Sequence, residues 1–178
     1  LEDGLLTPSE LMRYIVLTGL AAIAVGAVLV GIKGGMTAGL MLAGAFFVLF
    51  YTWPLKYLGL GEPAVLLVWG PLMVGGTCYV VSGTWNNEVI WLSLLYALGP
   101  TAVLFGKHID KLEFDADKGV RTLPVLLGER LARRCVQAML LMQYLGCVLL
   151  VVLGHEHWIL LAVLLASPFL LRQLRIFS

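Results

Sequence analysis

The stretch LMRYIVLTGLAAIAVGAVLVGI, residues 11–32, is 22 residues long and contains one charged side chain, that of Arg13. A helix needs about 17–25 mostly apolar residues to cross the hydrocarbon core of a bilayer. Lipid offers the backbone no hydrogen-bond partners, so a segment that crosses it alone has to be helical. The stretch therefore predicts a transmembrane helix.

Five further apolar runs follow along the chain, at about residues 36–53, 63–83, 87–106, 132–153 and 157–176. The composition agrees, since 60% of the 178 residues are hydrophobic and 13% are charged, whereas a soluble domain is about half apolar and a quarter charged. We predict an all-α, polytopic transmembrane helix bundle with six spans, forming a single membrane domain over residues 1–178. The net charge of +1 gives no reason to expect a nucleic-acid partner.

The basic residues are distributed very unevenly between the two ends of the predicted spans. If the spans alternate in direction, 11 of the 12 Lys and Arg residues fall on one side of the membrane, and Lys33 falls on the other. Cytoplasmic loops carry an excess of Lys and Arg. We therefore expect a protein of the cytoplasmic membrane whose charged loops face the cytoplasm.

One stretch, GKHIDKLEFDADKGVRTLPVLLGERLARR at residues 106–134, concentrates charge between two apolar runs. If the preceding helix continues past Gly106, the i, i+3, i+7 spacing places one set of acids on one face: Asp110, Glu113 and Asp117. His108 and Asp115 share another face. Carboxylates grouped in this way repel one another unless a cation lies between them.

Oxygen ligands suit Mg²⁺ or Ca²⁺, and Mg²⁺ is typically held by one or two carboxylates together with phosphate oxygens. Basic side chains beside the acids add partners for phosphate groups; they are Lys107, Lys111, Lys118 and Arg121. The stretch therefore predicts a Mg²⁺-dependent diphosphate site. Two other interpretations are a solvated loop whose charges pair in water and a non-catalytic transporter or scaffold. Transport is disfavoured because ionisable residues are almost absent from the interior of the spans.

Two stretches carry a family resemblance. DADKGVRTLPVLLG at residues 115–128 resembles the second aspartate-rich motif of the UbiA superfamily of intramembrane aromatic prenyltransferases. YTWPLKYLGLGEP at residues 51–63 is similar to the tyrosine-and-lysine loop that members place near the diphosphate. The wording GLGE and TLPVLLG looks most like the branch that prenylates 1,4-dihydroxy-2-naphthoate in menaquinone synthesis.

The resemblance implies transfer of a prenyl group from a polyprenyl diphosphate to an aromatic acceptor within the lipid bilayer. It implies Mg²⁺ as the cofactor, with Asp110, Glu113, Asp115 and Asp117 as metal ligands. The catalytic residues would be Asp110, Asp115, Lys56 and Arg121. The residues in contact with the substrate would be Tyr51, Lys56, Lys107, Lys111, Lys118 and Arg121. A branch of the superfamily that alkylates glycerol phosphate is the alternative function.

The sequence departs from the family pattern in two ways. The family acids are usually four residues apart, but the residue four before Asp115 is Lys111, so either the helix breaks or bulges there or the metal is held differently. Nothing matches the family's first aspartate-rich motif. We therefore expect six of about nine helices here, with the missing N-terminal helices of the same protein as a partner and no activity from these 178 residues alone.

Two polar residues near the charged stretches have both a functional and a structural interpretation. Glu62 could help to close the site, or it could be an ordinary acid at a helix N-terminus before Pro63. His108 could orient an aspartate or act as a base, or it could be a histidine that satisfies its hydrogen bonds at the membrane interface. The sequence leaves both alternatives open.

Overall fold

The computed structural model describes residues 7–178, and within this range all regular structure is helical. The helices are α1 (Pro8–Lys33), α2 (Gly35–Phe50), α3 (Gly61–Leu67), α4 (Gly76–Ser82), α5 (Asn87–Asp110), α6 (Leu112–Asp117), α7 (Leu123–Leu127), α8 (Glu129–Val152) and α9 (Ser167–Ile176). A π-helical stretch, Val68–Gly75, joins α3 to α4, and 3₁₀ turns cover Leu55–Leu58 and Trp158–Ala166. The predicted all-α class is confirmed.

Five helical segments are long and apolar enough to cross a membrane: Pro8–Lys33, Gly61–Ser82, Asn87–Asp110, Glu129–Val152 and Trp158–Ile176. Large apolar side chains stand exposed on them, as expected where lipid is the neighbour. The remaining predicted span, residues 36–53, is shorter than expected, since α2 has 16 residues and ends at Phe50 rather than near residue 53. Pro54 contributes to this early end, because proline disfavours helical backbone in the residue before it.

The chain divides into two compact units, and the division falls within α2, after Leu42. In the first unit, α1 begins with a capping box in which the Glu10 N–H donates to Thr7 Oγ1 and the Thr7 N–H donates to Glu10 Oε2. Such reciprocal bonds satisfy backbone donors that the first helical turn leaves unpaired. Gly26 lets the Met41 side chain of α2 approach the α1 backbone closely.

The second unit, Ala43–Ser178, is organised around α5, which packs against α8 and against the helical segment Gly61–Ser82. Gly70 makes the second contact possible, because a Cβ there would lie 3.0 Å from the Ser93 carbonyl oxygen. Pro71 lies inside the π-helical stretch, where its missing N–H prevents an ordinary helical hydrogen bond. A buried apolar cluster joins α5 to α8, and its members are Ala102, Phe105, Ile109, Ala132 and Val136.

Two connections at the C-terminal end of α5 build the region of interest: residues 51–60 and residues 111–128. Gly59 has a φ of +73°, in the region that favours glycine, and the Leu126 side chain of α7 packs directly against it. Leu123 and Leu127 of α7 pack in turn against the buried cluster between α5 and α8. The two connections, which carry the two motifs that resemble the family, therefore lie together.

Candidate active site

Glu62, at the start of α3, is the most deeply buried charged residue among those that the structure describes, with 1% of its surface exposed. Its Oε1 lies 2.6 Å from Nδ1 of His108, which is 2% exposed in the last turn of α5. Its Oε2 accepts a hydrogen bond of 3.3 Å from the backbone N–H of Leu123 at the start of α7. A buried carboxylate needs such partners, since burial without them is costly. One side chain thus joins three segments.

Asp115 is the second buried acid, and it lies between His108 and Leu123 in the sequence. It is 4% exposed, and its Oδ1 is 4.0 Å from Nζ of Lys56. Its Oδ2 is buried and has no hydrogen-bond partner among the described residues. The Lys56 side chain is 28% exposed, so it is less buried than Asp115. This geometry brings a carboxylate and a cation from the two motif-bearing loops together.

Tyr51 borders the same site, because its ring lies against Gly61. Burial and, to a smaller extent, the negative charge of Glu62 raise the pKa of the Tyr51 phenol. The hydroxyl therefore keeps its proton at neutral pH and can donate a hydrogen bond to an anion.

The helix that precedes the charged stretch does not continue through it, so the condition for a shared acidic face is not met. Lys111 has φ −109° and ψ 14°, so α5 ends at Asp110 and α6 starts at Leu112. The i, i+3, i+7 relation among Asp110, Glu113 and Asp117 consequently does not apply. A helix break, one of the alternatives that the departure from the family spacing left open, is present at Lys111.

The remaining predicted site residues are exposed, and they are Lys107, Asp110, Lys111, Glu113, Asp117, Lys118 and Arg121. Lys107 and Asp110 line a cavity of about 480 Å³ that Gln173 and Phe177 also border. The Lys118 ammonium lies 4.3 Å from the centre of the Phe114 ring. The structure therefore unites Asp115 with Lys56, and joint metal binding by Asp110 and Asp115 stays a prediction.

Within residues 7–178, no three Asp, Glu, His or Cys side chains meet as a preformed metal centre. The buried, unpartnered Oδ2 of Asp115 nevertheless fits a hard cation. Mg²⁺ commonly takes one or two protein carboxylates and completes its shell with waters and the phosphate oxygens of a substrate. Asp115 is thus a suitable protein ligand for Mg²⁺ brought in with a diphosphate.

The contact between Glu62 and His108 is the feature that sequence reasoning did not find. The two residues are 46 positions apart, and each had an ordinary local explanation. A signal was present, since each is a polar residue at the end of a predicted apolar run, on the same predicted side of the membrane. Buried polar groups need partners, so the two could have been considered as a pair.

Long apolar helices around a buried charged site define the class of protein: it is a polytopic integral membrane protein. The chain belongs to the UbiA prenyltransferase family, which it matches over residues 1–178. The predicted family is therefore confirmed.

Several curated proteins resemble the chain. It is 32% identical to the 1,4-dihydroxy-2-naphthoate octaprenyltransferase of Escherichia coli (strain K12), over 98% of this chain and 60% of that protein. It is 26% identical to the 2-carboxy-1,4-naphthoquinone phytyltransferase of Synechocystis sp., over 68% of this chain and 39% of that protein. It is 31% identical to the 1,4-dihydroxy-2-naphthoate octaprenyltransferase of Haemophilus influenzae, over 72% and 44% respectively.

The chain thus spans about 60% of the length of the Escherichia coli relative. No solved structure matches the chain significantly.

Proposed function

We propose that the protein encoded by the complete gene transfers a prenyl group from a polyprenyl diphosphate to an aromatic acceptor of the 1,4-dihydroxy-2-naphthoate class, as in menaquinone biosynthesis. One observation supports this above all: Lys56 Nζ lies 4.0 Å from Asp115 Oδ1, so the two motif-bearing loops meet at a charged site. The names of the relatives from Escherichia coli and Haemophilus influenzae support the acceptor class.

The reaction divides into a bond that breaks and a bond that forms. The C–O bond of the allylic diphosphate breaks and the diphosphate departs with the electron pair, while a carbon of the electron-rich acceptor ring forms the new C–C bond. That ring carbon then releases its own substituent, a proton or a carboxyl group as CO₂, and the electron pair of the broken bond restores the aromatic ring. Charge accumulates on the departing diphosphate, so preorganised cations near it lower the barrier. Lys56 is the cation next to the buried Asp115. Further positive charge comes from the exposed residues Arg121, Lys107, Lys111 and Lys118.

Asp115 would hold Mg²⁺, with Asp110, Glu113 and Asp117 as further proposed ligands. When bound, Mg²⁺ neutralises the diphosphate oxygens as the leaving group departs. The protonated Tyr51 hydroxyl donates a hydrogen bond to the same anion. Water is kept from the reacting carbon by the apolar helices, which also offer the prenyl tail an environment like that of lipid.

We further propose that the site faces the cytoplasm from the cytoplasmic membrane. Residues 51–60 and 111–128 lie together, and the basic residues concentrate on that side of the predicted spans. Cytoplasmic loops carry such an excess. A water-soluble diphosphate headgroup can reach the site from that side while its prenyl chain stays in the bilayer.

The test is prenyl transfer in membranes that contain the product of the complete gene. The membranes are incubated with Mg²⁺, octaprenyl diphosphate and one acceptor at a time: 1,4-dihydroxy-2-naphthoate, 4-hydroxybenzoate, homogentisate or glycerol 1-phosphate. We expect product with 1,4-dihydroxy-2-naphthoate, loss of product on chelation by EDTA, and recovery when Mg²⁺ is restored. Product with glycerol 1-phosphate alone contradicts the proposed acceptor class, and no product with any acceptor contradicts prenyl transfer.

A further inference from the structure

We infer that Glu62 and His108 form a positioning pair, which holds Lys56 and Asp115 in the relative positions needed to bind the diphosphate. This inference rests on the function proposed above and concerns two residues without an assigned role in it. The pair is defined by the 2.6 Å contact between Glu62 Oε1 and His108 Nδ1 and by the 3.3 Å bond that Glu62 Oε2 accepts from the Leu123 N–H.

The carboxylate of Glu62 sets the distance between segments that are remote in sequence. His108 is 46 positions away and Leu123 is 61 positions away. The start of α3, the last turn of α5 and the start of α7 are therefore joined through one side chain.

Both residues of the ion pair at the site are tied to this junction by short stretches of chain. On one side, the Lys56 N–H donates to the Tyr51 carbonyl, and the Lys56 Cα lies 3.5 Å from the Cβ position of Gly61, next to Glu62. On the other side, the Val120 N–H donates a hydrogen bond of 2.8 Å to the Asp115 carbonyl oxygen. Val120 lies three residues before Leu123. A shift at Glu62 is consequently transmitted to both Lys56 and Asp115.

Hydrogen bonding separates the pair from the groups that we propose bind the ligand. Glu62 and His108 are buried, and both Glu62 oxygens already have partners in His108 and the Leu123 N–H. Asp115 is buried as well, but its Oδ2 has no partner among the described residues, and the adjacent Lys56 is partly exposed. Residues behind the binding groups of a site commonly change affinity or activity by about 10–100-fold when removed.

The first experiment measures kinetic constants of the complete gene product in nanodiscs for Glu62→Ala, His108→Ala and the double variant. We expect the KM for octaprenyl diphosphate to rise about tenfold or more in each single variant, with the KM for the acceptor unchanged. The double variant should be no worse than the worse single variant, because residues that act as a unit are not additive. The inference is overturned if the variants have the kinetic constants of the parent or if KM rises equally for both substrates. It is also overturned if the effects of the two single variants add in the double variant.

A conservative variant guards against simple misfolding. In Glu62→Gln the amide oxygen can still accept from the Leu123 N–H, and the amide N–H can donate to Nδ1 of His108 in its Nε2-protonated tautomer, so we expect constants within about threefold of the parent. A loss as large as that of Glu62→Ala overturns a positioning role. The matched control is the exposed pair Glu88 and His155, in which Oε1 of Glu88 and Nδ1 of His155 lie 3.8 Å apart; Glu88→Ala and His155→Ala should leave all constants unchanged.

A readout without turnover separates this inference from the proposed function. Equilibrium binding of farnesyl thiodiphosphate with Mg²⁺ should weaken about tenfold in Glu62→Ala and His108→Ala. Hydrogen exchange at the Leu123 amide should accelerate in Glu62→Ala but not in Glu62→Gln. If the parent binds the analogue but transfers no prenyl group, the proposed function fails while these readouts still test the pair. If Asp115→Asn abolishes transfer but the pair variants bind normally, the function stands and the inference fails.

Discussion

At the scale of single residues, burial distinguishes one acid of the charged stretch from its neighbours. Asp115 is 4% exposed and next to Lys56, whereas Asp110, Glu113 and Asp117 are exposed. Charges interact more strongly where water is excluded, so Asp115 has more influence on a bound anion or metal than an exposed acid. Its unpartnered Oδ2 leaves a coordination position for a cation.

We predict that Asp115→Asn lowers prenyl transfer by at least about 10²-fold, a loss typical of removing one preorganised electrostatic group. The amide keeps the shape of the side chain but loses the charge that would hold Mg²⁺. The measurement is turnover in membranes at matched protein levels, with the melting temperature in detergent as the check on folding. Glu88→Gln, at an exposed position in the first turn of α5, is the control, and full activity of Asp115→Asn would refute the role of Asp115.

At the scale of elements, the site depends on close contact between the 51–60 connection and α7. Gly59 adopts a left-handed backbone conformation, and a Cβ there would clash with Leu126 and come within 3.3 Å of the Arg121 carbonyl oxygen. Gly83 has a similar φ of +79° but no atom within 4 Å of its Cβ position. Alanine at Gly83 would therefore introduce backbone strain alone, whereas alanine at Gly59 would introduce the same strain and also disturb the contact with Leu126.

We predict that Gly59→Ala and Gly83→Ala each reduce the free energy of unfolding by about 1–2 kcal/mol through the left-handed backbone. Gly59→Ala should also displace Leu126 and raise the KM for the polyprenyl diphosphate, because the loop that carries Lys56 moves away from α7. Gly83→Ala should leave that KM unchanged. Thermal unfolding and steady-state kinetics of both variants provide the comparison, and equal KM values in the two variants would exclude this role of the contact.

At the scale of the whole molecule, α5 is long enough to place its two ends on opposite sides of a bilayer. Its 24 residues span about 36 Å at 1.5 Å per residue, somewhat more than the hydrocarbon core of a bilayer. Thr84 precedes the helix, whereas Lys118 follows its other end. The 51–60 connection lies with the Lys118 end, because Gly59 contacts Leu126.

We predict that a membrane-impermeant thiol reagent added to intact cells labels Thr84→Cys but not Leu60→Cys or Lys118→Cys. In inverted vesicles the pattern should be reversed, because the excess of Lys and Arg places the motif-bearing loops in the cytoplasm. All three positions are exposed, and the native cysteines at 78, 135 and 147 are replaced beforehand. Labelling of Leu60→Cys and Lys118→Cys from opposite sides would contradict the common face of the two loops.

Much of the fold was predictable because it depends on local properties of the chain. Apolar runs located the helices to within a few residues. The shifted acid spacing at Lys111 left a helix break next to Asp110 as one of several alternatives, and the structure has that break. The end of α2 at Phe50 was missed, since hydropathy extends through Tyr51 and Trp53 while Pro54 already alters the backbone before it. Among the site residues, the sequence pointed to Asp115 and Lys56, but it gave no reason to prefer Asp115 over Asp110 as a metal ligand.

The sequence by itself determined that the protein is a helical membrane protein, and it predicted that the two motif-bearing loops share one side of the membrane. Hydrophobicity and charge act at each position along the chain, and lipid allows a single crossing segment only as a helix. Only the tertiary structure decided that Asp115 is buried beside Lys56 and that Glu62 meets both His108 and the Leu123 N–H. Those contacts join residues dozens of positions apart, so they depend on where the backbone turns and packs, which no local pattern specifies.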